Sequence, residues 1–347
     1  IRLWCIIFCE ASRNVTTARE IKLGLKDAEK QVDRAFTRDS YTGQSFENAF
    51  GGATSFLRLK YTKELNNVDL AITGIPFDQA VTNRPGSRFG PRAIREASTL
   101  QPFDPIYGWG DFDPMSEISM VDYGDIAYDY AKVSEFPQIL EDHVSTILGK
   151  CSGCISLGGD HFISYPILKA YRKKFGKPLA LLQFDAHSDT WPDDDMHRID
   201  HGTMFYKAVK QGLIDPKKSV QVGIRTYNSD TLGVNIIDAR EVFEIGPGKT
   251  AEKIKSILGD TPTYLTFDID CLDPAYAPGT GTPVWGGLSS IQASIILRDL
   301  AGINMVGGDV VEVAPQYDLS GATAIAGAHV VHELICVWGW NKKHQTK

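Results

Sequence analysis

The chain of 347 residues is 43% hydrophobic and 23% charged, a globular composition with ample material for a core. Its formal net charge of −7 argues against nucleic acid or an anionic membrane surface as partner and tolerates a cationic small molecule. Six scattered cysteines do not make a disulfide scaffold, and no run reads as a transmembrane helix.

The opening, IRLWCIIFCEASR, is a short apolar run without an initiating Met. It reads as an extension outside the fold, with a cytoplasmic location as the default. Residues 19–36, REIKLGLKDAEKQVDRAF, are polar with sparse apolar positions at helical spacing, which predicts a surface helix. VDLAITGIPFD predicts a buried strand and a turn. NRPGSRFGPRAIREAS is a Gly/Pro/Arg loop running into a helix. The CxxC of Cys151 and Cys154 has no second pair for a zinc ribbon and leads into an apolar strand, so it reads as structural.

From there strands and helices alternate. CISLGGDHF, LALLQFDAH, SVQVGIRT, TYLTFDID and INMVGGDVVEV predict strands. YPILKAYRKKF, AEKIKSILG (closed by Gly259), SSIQASIILRDLAG (Ser N-cap) and GATAIAGAHVVHELICVWGW predict helices. This alternation argues for one parallel sheet covered on both faces, with ligands at the carboxyl ends of its strands.

Three of those strand ends carry metal-ligand chemistry. In LALLQFDAHSDTWPDDD, residues 179–195, Asp185, His187 and Asp189 are spaced two apart and share a face if the chain stays extended. Burying two such carboxylates unpaired is costly, and a cation between them removes the cost. GGDH adds His161, and TFDIDCLDP adds Asp268 and Asp270. Taken singly, GGDH reads equally as a turn, and Asp160 or Asp273 as helix caps. Together, two His and four Asp are too many ligands for one ion, and carboxylates can bridge a pair. Oxygen and imidazole donors without thiolate favour Mn²⁺, with Ni, Co, Fe and Zn also admissible. Two such ions turn a bridging water into hydroxide near neutral pH.

GGDH, DAHSD, DHGTMF and FDIDCLDPAYAPGTGTPVWGGL resemble the ureohydrolases, the arginase and agmatinase family, and the likeness runs over roughly residues 50–340. DHGTMFYKAVKQGLID, TFDIDCLDPAYAPGTGTP and DVVEVAPQYD are most similar to its bacterial-type agmatinases. The resemblance implies a three-layer α/β fold of arginase type, with a mainly parallel sheet of about eight strands flanked by helices. It implies an N-terminal extension over 1–45 and a single catalytic domain over 46–347. It implies two Mn²⁺ per chain, one held by His161, Asp185, Asp189 and Asp268, the other by His187, Asp185, Asp268 and Asp270. Asp185 and Asp268 would bridge. His201 matches the proton-shuttle histidine, Glu312 the guanidinium-binding carboxylate, and Thr282 a residue lining the site. A homo-oligomer built on trimers is implied as well.

The expected substrate is a small cationic guanidino compound. Agmatine, cleaved to urea and putrescine by metal-bound hydroxide, is the leading expectation. Guanidinobutyrate or free guanidine is the alternative within the same chemistry. TWPDDDMHRID, with Asp193, Asp194, Asp195 and Asp200, reads as an acidic lid welcoming an ammonium tail, or as a solvated surface loop. Trp191 and Trp285 would narrow the pocket or merely pack. Gly308 stands where many relatives carry a larger residue. A ligand-binding pseudoenzyme would not need so complete a donor set, and a single-zinc deacetylase would not need the paired acids.

Overall fold

A computed structural model describes residues 34–43, 48–103, 106–110 and 112–345. The expected extension over 1–45 and the helix over 19–36 lie mostly outside them; Arg34–Thr37 forms one helical turn.

Among the described residues, nine strands form one sheet. They are β1 (Lys60–Tyr61), β2 (Leu70–Ile75), β3 (Met120–Asp125), β4 (Gly153–Gly158), β5 (Ala180–Phe184), β6 (Val220–Ile224), β7 (Asn235–Asp238), β8 (Thr263–Asp268) and β9 (Met305–Val311). The order is β1-β3-β2-β4-β9-β8-β5-β6-β7, and every pairing is parallel. The three strands beyond the sequence expectation are β1, β3 and β7. They are short or interrupted by Asp, and only partly buried, so an apolar run does not announce them.

Among the described residues, eight helices of seven residues or more surround the sheet: α1 (Gly90–Ala97), α2 (Phe136–Leu148), α3 (Ser164–Phe175), α4 (Met204–Lys210), α5 (Ala239–Ile245), α6 (Pro247–Leu258), α7 (Ser290–Asp299) and α8 (Ala322–Gln345). Local chemistry sets several ends. Gly176 closes α3 in the left-handed conformation, with its N–H on Arg172. Ser289 and Gln292 form a reciprocal capping box on α7.

Successive strand residues feed two cores. Leu70 and Ile72 of β2, with Ala180, Leu182 and Phe184 of β5, pack into the core shared with α1, α6, α7 and α8. Ala71 and Ile75, with Leu181, pack into the other, shared with α2, α3 and α4. That two-sided burial is why the central strands read as continuous apolar runs. It also explains α8. Ala322–His344 does meet the length and composition of a membrane span, contrary to the sequence expectation, but 78% of its apolar window is buried inside the protein. It is a core helix, apolar on most sides because it packs on α1, α7 and β9.

Cys151 and Cys154 are buried free thiols. Burial pushes them up to about 11 and about 12, which leaves them protonated and inert, as the structural reading holds.

The topology positions the site. The chain lays β1 to β4 in one half and β5 to β7 in the other, then inserts β8 and β9 between them. The carboxyl ends of β4, β9, β8 and β5 thus become neighbours, with Leu157 beside Val310, Val311 beside Asp268, and Phe267 beside Phe184. A Cβ added at Gly308 would lie 2.4 Å from the Leu265 carbonyl oxygen. Glycine there is therefore a packing requirement of β9 against β8. Gly308→Ala is expected to lower unfolding stability by about 1–3 kcal/mol through overpacking. A denaturant midpoint matching that of the native chain would refute this.

Candidate metal centre and active site

Each acid or imidazole in question stands just past a strand. Asp185 follows β5, Asp268 ends β8, Asp270 lies in the tight turn after it, and His161 opens a turn after β4. The expected strand alternation does not place Asp185, His187 and Asp189 together. β5 stops at Phe184, and turns bring them in: the His187 N–H donates to Asp185 Oδ1 (2.6 Å), and Asp189 has φ of +52°. Asp270 likewise reaches the cluster through a turn, its N–H donating to Asp268 Oδ1 (2.9 Å). A positive φ at a non-glycine residue is strained and persists where packing enforces it.

The six side chains meet in two overlapping groups. His161 Nδ1 lies 3.0 Å from Asp185 Oδ2, 3.0 Å from Asp189 Oδ2 and 3.2 Å from Asp268 Oδ2. His187 Nδ1 lies 3.1 Å from Asp270 Oδ2 and 3.5 Å from Asp185 Oδ1. The candidate ligand atoms within each of His161/Asp185/Asp189 and Asp185/His187/Asp270 fall within 4.8 Å of one another. Asp185 belongs to both, one oxygen facing each histidine.

The electrostatics fit divalent cations. Burial and neighbouring carboxylates raise Asp189 to about 7 and push Asp268 and Asp270 up too. Burial opposes charge on the histidines, yet the carboxylates override it: His161 is raised, and His187 reaches about 12. The same contacts, against burial, hold Asp185 below its ordinary range. Among the described residues no Lys or Arg pairs with these acids. The imidazoles alone balance them, a role that metal ions with neutral imidazole and ionised carboxylate ligands would take over.

Supporting residues orient the ligands. Thr266 donates its hydroxyl proton to Asp309, so its oxygen accepts from His161 Nε2–H (2.8 Å). This turns Nδ1 toward the acids, and it becomes the lone pair there once the ring is neutral. Asp309 is buried and also accepts from Tyr264 (2.7 Å) and Ser164 (2.7 Å). On the far side, Gln183 Nε2 donates to Asp185 Oδ2 (2.7 Å), and Gln221 Nε2 donates to Gln183 Oε1 (2.7 Å). Sequence reasoning missed all of these. A signal existed, since Tyr264, Thr266 and Asp268 alternate along β8, and Gln183 and Asp309 are polar residues inside apolar strands.

Glu312, just past β9, is buried with φ of +62°. Its Oε1 accepts from the His161 backbone N–H (2.9 Å) and pairs with His201 Nδ1 (2.9 Å), whereas Oε2 has no hydrogen-bond partner among the described residues. Gly281 faces that oxygen, its added Cβ falling 3.5 Å away. Burial would lower His201, but Glu312 outweighs it and raises the imidazole to about 9. Thr282 Oγ1 donates to Asp270 Oδ2 (3.3 Å), which puts it at the cluster's edge.

The expected acidic lid is neutralised in part. Asp193 is buried against Lys207 Nζ (3.0 Å) and Thr203 Oγ1 (3.2 Å). Asp195 and Asp200 accept from the backbone N–H groups of His197 and Gly202. The tryptophans also divide. Trp191 packs beside His187, with ring centroids 6.5 Å apart, whereas Trp285 is 89% exposed and narrows no pocket.

Known proteins are similar to this chain over most of its length. The model of the Arginase family matches residues 68–336. An agmatinase of Chromobacterium violaceum is 53% identical over 312 residues, covering 90% of this chain and 96% of its own. The crystal structure of a hypothetical agmatinase from Burkholderia thailandensis superposes with a TM-score of 0.88 at 53% identity, over 90% of this chain and 98% of its own. Proclavaminate amidino hydrolase from Streptomyces clavuligerus superposes with a TM-score of 0.81 at 36% identity, over 85% and 100%.

The site's own geometry generates two expectations. Thr266→Val breaks the chain from His161 to Asp309 and should weaken cation affinity about 10- to 100-fold in chelator competition; unchanged affinity would remove Thr266 from this role. Ligation needs neutral imidazoles and ionised carboxylates. With His187 held near 12 and Asp189 near 7, cation uptake at pH 7.5 should therefore expel at least about one proton, and weaken as pH falls. Calorimetry in buffers of different ionisation enthalpy measures this, and a buffer-independent heat would contradict it.

Proposed function

The chain belongs to the arginase family, and from that premise we propose that it hydrolyses the guanidino group of agmatine, releasing urea and putrescine. The observation that carries the reading is Glu312, a buried carboxylate with one oxygen anchored and the other unpartnered beside the acid–imidazole cluster. A planar cation with paired N–H donors suits such an oxygen. The preference for agmatine rests on the similarity to agmatinases over nearly the whole chain.

In this proposal His161, Asp185, Asp189 and Asp268 hold one divalent ion, and His187, Asp185, Asp268 and Asp270 the other. The donor set favours manganese. Such ions supply Lewis acidity and a deprotonated water near neutral pH. Glu312 seats the guanidinium, and its anchoring by the His161 N–H fixes the distance between guanidinium and cluster. Thr282 holds Asp270 in orientation. Once the central carbon is attacked and becomes tetrahedral, the bond to the tail nitrogen breaks. That nitrogen must leave protonated, and His201, charged through its contact with Glu312, supplies the proton. The same proposal includes a homo-oligomer built on trimers, on the family resemblance alone.

The test is urea release from Mn²⁺-loaded protein offered agmatine, 4-guanidinobutyrate, arginine or free guanidine. Agmatine is expected to give the highest kcat/KM by at least about 100-fold, a difference of roughly 2.7 kcal/mol in transition-state binding. Preference for guanidinobutyrate would overturn the substrate and retain the hydrolytic chemistry. Release from none of the four would overturn the function.

A further inference from the structure

His201 has no nitrogen left to face a substrate directly. Nδ1 lies 2.9 Å from Glu312 Oε1. Nε2 lies 3.2 Å from the Thr82 backbone nitrogen and 3.0 Å from Thr82 Oγ1. A backbone N–H can only donate, so it serves the neutral ring, whose Nε2 is a lone pair. A hydroxyl oxygen can also accept, so it serves the imidazolium, whose Nε2 carries a proton. One residue thus offers a partner to each protonation state of the same nitrogen.

The segment carrying Thr82 is fixed by its neighbours. Ala80 N–H donates to Asp160 Oδ2 (2.8 Å), Gly86 N–H donates to Asp78 Oδ2 (2.8 Å), and Arg88 pairs with Asp78. Asn83 Nδ2 donates to the Gly281 carbonyl (3.1 Å), tying the segment to the residue that faces Glu312 Oε2. An added Cβ on Gly281 would stand 3.5 Å from both Glu312 Oε2 and the Val81 side chain. Residues 81–84 therefore wall the space in front of the guanidinium-binding oxygen, and Thr82 is exposed on that wall.

We propose that the proton His201 supplies to the leaving amine passes through the hydroxyl of Thr82, which makes Thr82 a catalytic residue of this site. As the C–N bond breaks, its electron pair stays on the tail nitrogen and takes the hydroxyl proton of Thr82. Thr82 Oγ1 takes the Nε2 proton of the imidazolium in the same step. The hydroxyl is regenerated, His201 ends neutral with Nδ1–H on Glu312, and the Thr82 N–H then occupies the freed lone pair. One proton has moved from His201 to the amine. The alternative exit, through Nδ1, leads only onto Glu312, whose charge is needed to hold the guanidinium.

The inference rests on the proposed hydrolysis, so the test has one arm that needs no turnover. Thr82→Val and Thr82→Ala remove the hydroxyl and keep the N–H, and Thr82→Ser keeps both. Both hydroxyl-free variants are expected to lose at least about 100-fold in kcat on agmatine, the lower end of a general acid's contribution, with KM within about 3-fold and manganese content and melting temperature unchanged. Thr82→Ser is expected to recover most of the loss. Independently, ¹⁵N signals of the His201 ring in labelled protein are expected to shift in the hydroxyl-free variants and not in Thr82→Ser. Native-like kcat in both hydroxyl-free variants, a loss that serine does not recover, or a loss that follows manganese content would overturn the relay. If the native protein does not cleave agmatine, the proposed function fails, and ring signals unmoved by loss of the hydroxyl would show separately that the Thr82 contact fails.

Discussion

Four carboxylates buried side by side at the middle of a parallel sheet are the constraint on which the rest of the structure depends. Two like charges about 4 Å apart repel by roughly 4 kcal/mol even at an effective dielectric of 20. Among the described residues, Asp185, Asp189, Asp268 and Asp270 meet that repulsion with only His161 and His187 as basic partners. The cluster is therefore unstable in any form that lacks compensating positive charge, which makes it selective for cations before any ligand geometry is considered. The topology creates the problem on purpose. Only because β8 and β9 enter between β4 and β5 do acids distant in sequence become neighbours at one edge.

The surroundings treat the site's imidazoles in opposite ways. His161 has its Nε2 committed to Thr266, which is itself committed to a buried Asp309 with three donors. That chain leaves one tautomer and one direction for the ligating lone pair. His201 has instead a fixed charge on Nδ1 and, on Nε2, a residue that can both donate and accept. The first arrangement suits a residue that must not titrate during turnover. The second suits one that must. Glu312 couples them, since one oxygen receives both the His161 backbone and the His201 ring.

The identity of the cluster was legible in the sequence, but the geometry that assembles it was not. His161, Asp185, His187, Asp189, Asp268 and Asp270 stand out because charge and imidazole interrupt apolar runs. The inference that alternation along an extended strand lines them up is incorrect for DAHSD, because β5 ends before the first of them. Turns deliver the rest, with a positive φ at Asp189 and Glu312 that no local pattern announces. The central strands were readable because they are apolar on both faces. β3 was not, because its run is broken by Asp122, a buried anchor for Arg95 of α1, and by the exposed Asp125, which pairs with the same arginine. Thr266 and Asp309 were readable in principle from period-two spacing, but only to a reader who already knew which face of β8 looks at the acid–imidazole cluster.

The acidic loop shows the limit of reading charge from composition. DDD looks like a field that attracts an ammonium tail, yet Lys207, twelve residues or more downstream, is folded entirely into the protein to neutralise Asp193. Asp195 and Asp200 turn toward backbone amides of their own loop. In the proposed reaction Glu312 would hold the guanidinium, a group common to every guanidino substrate, and so would not discriminate among tails. Discrimination must then come from what the tail meets beyond it: the ring of Trp191 beside His187, the wall of residues 81–84, and the residual negative potential of an acidic chain. The first two act at contact and reward shape. The third acts at a distance, falls off within a Debye length of about 8 Å at physiological salt, and separates an ammonium from a carboxylate tail chiefly when ionic strength is low. Tail selectivity that persists in high salt therefore belongs to the contacts, and selectivity that fades with salt belongs to the field.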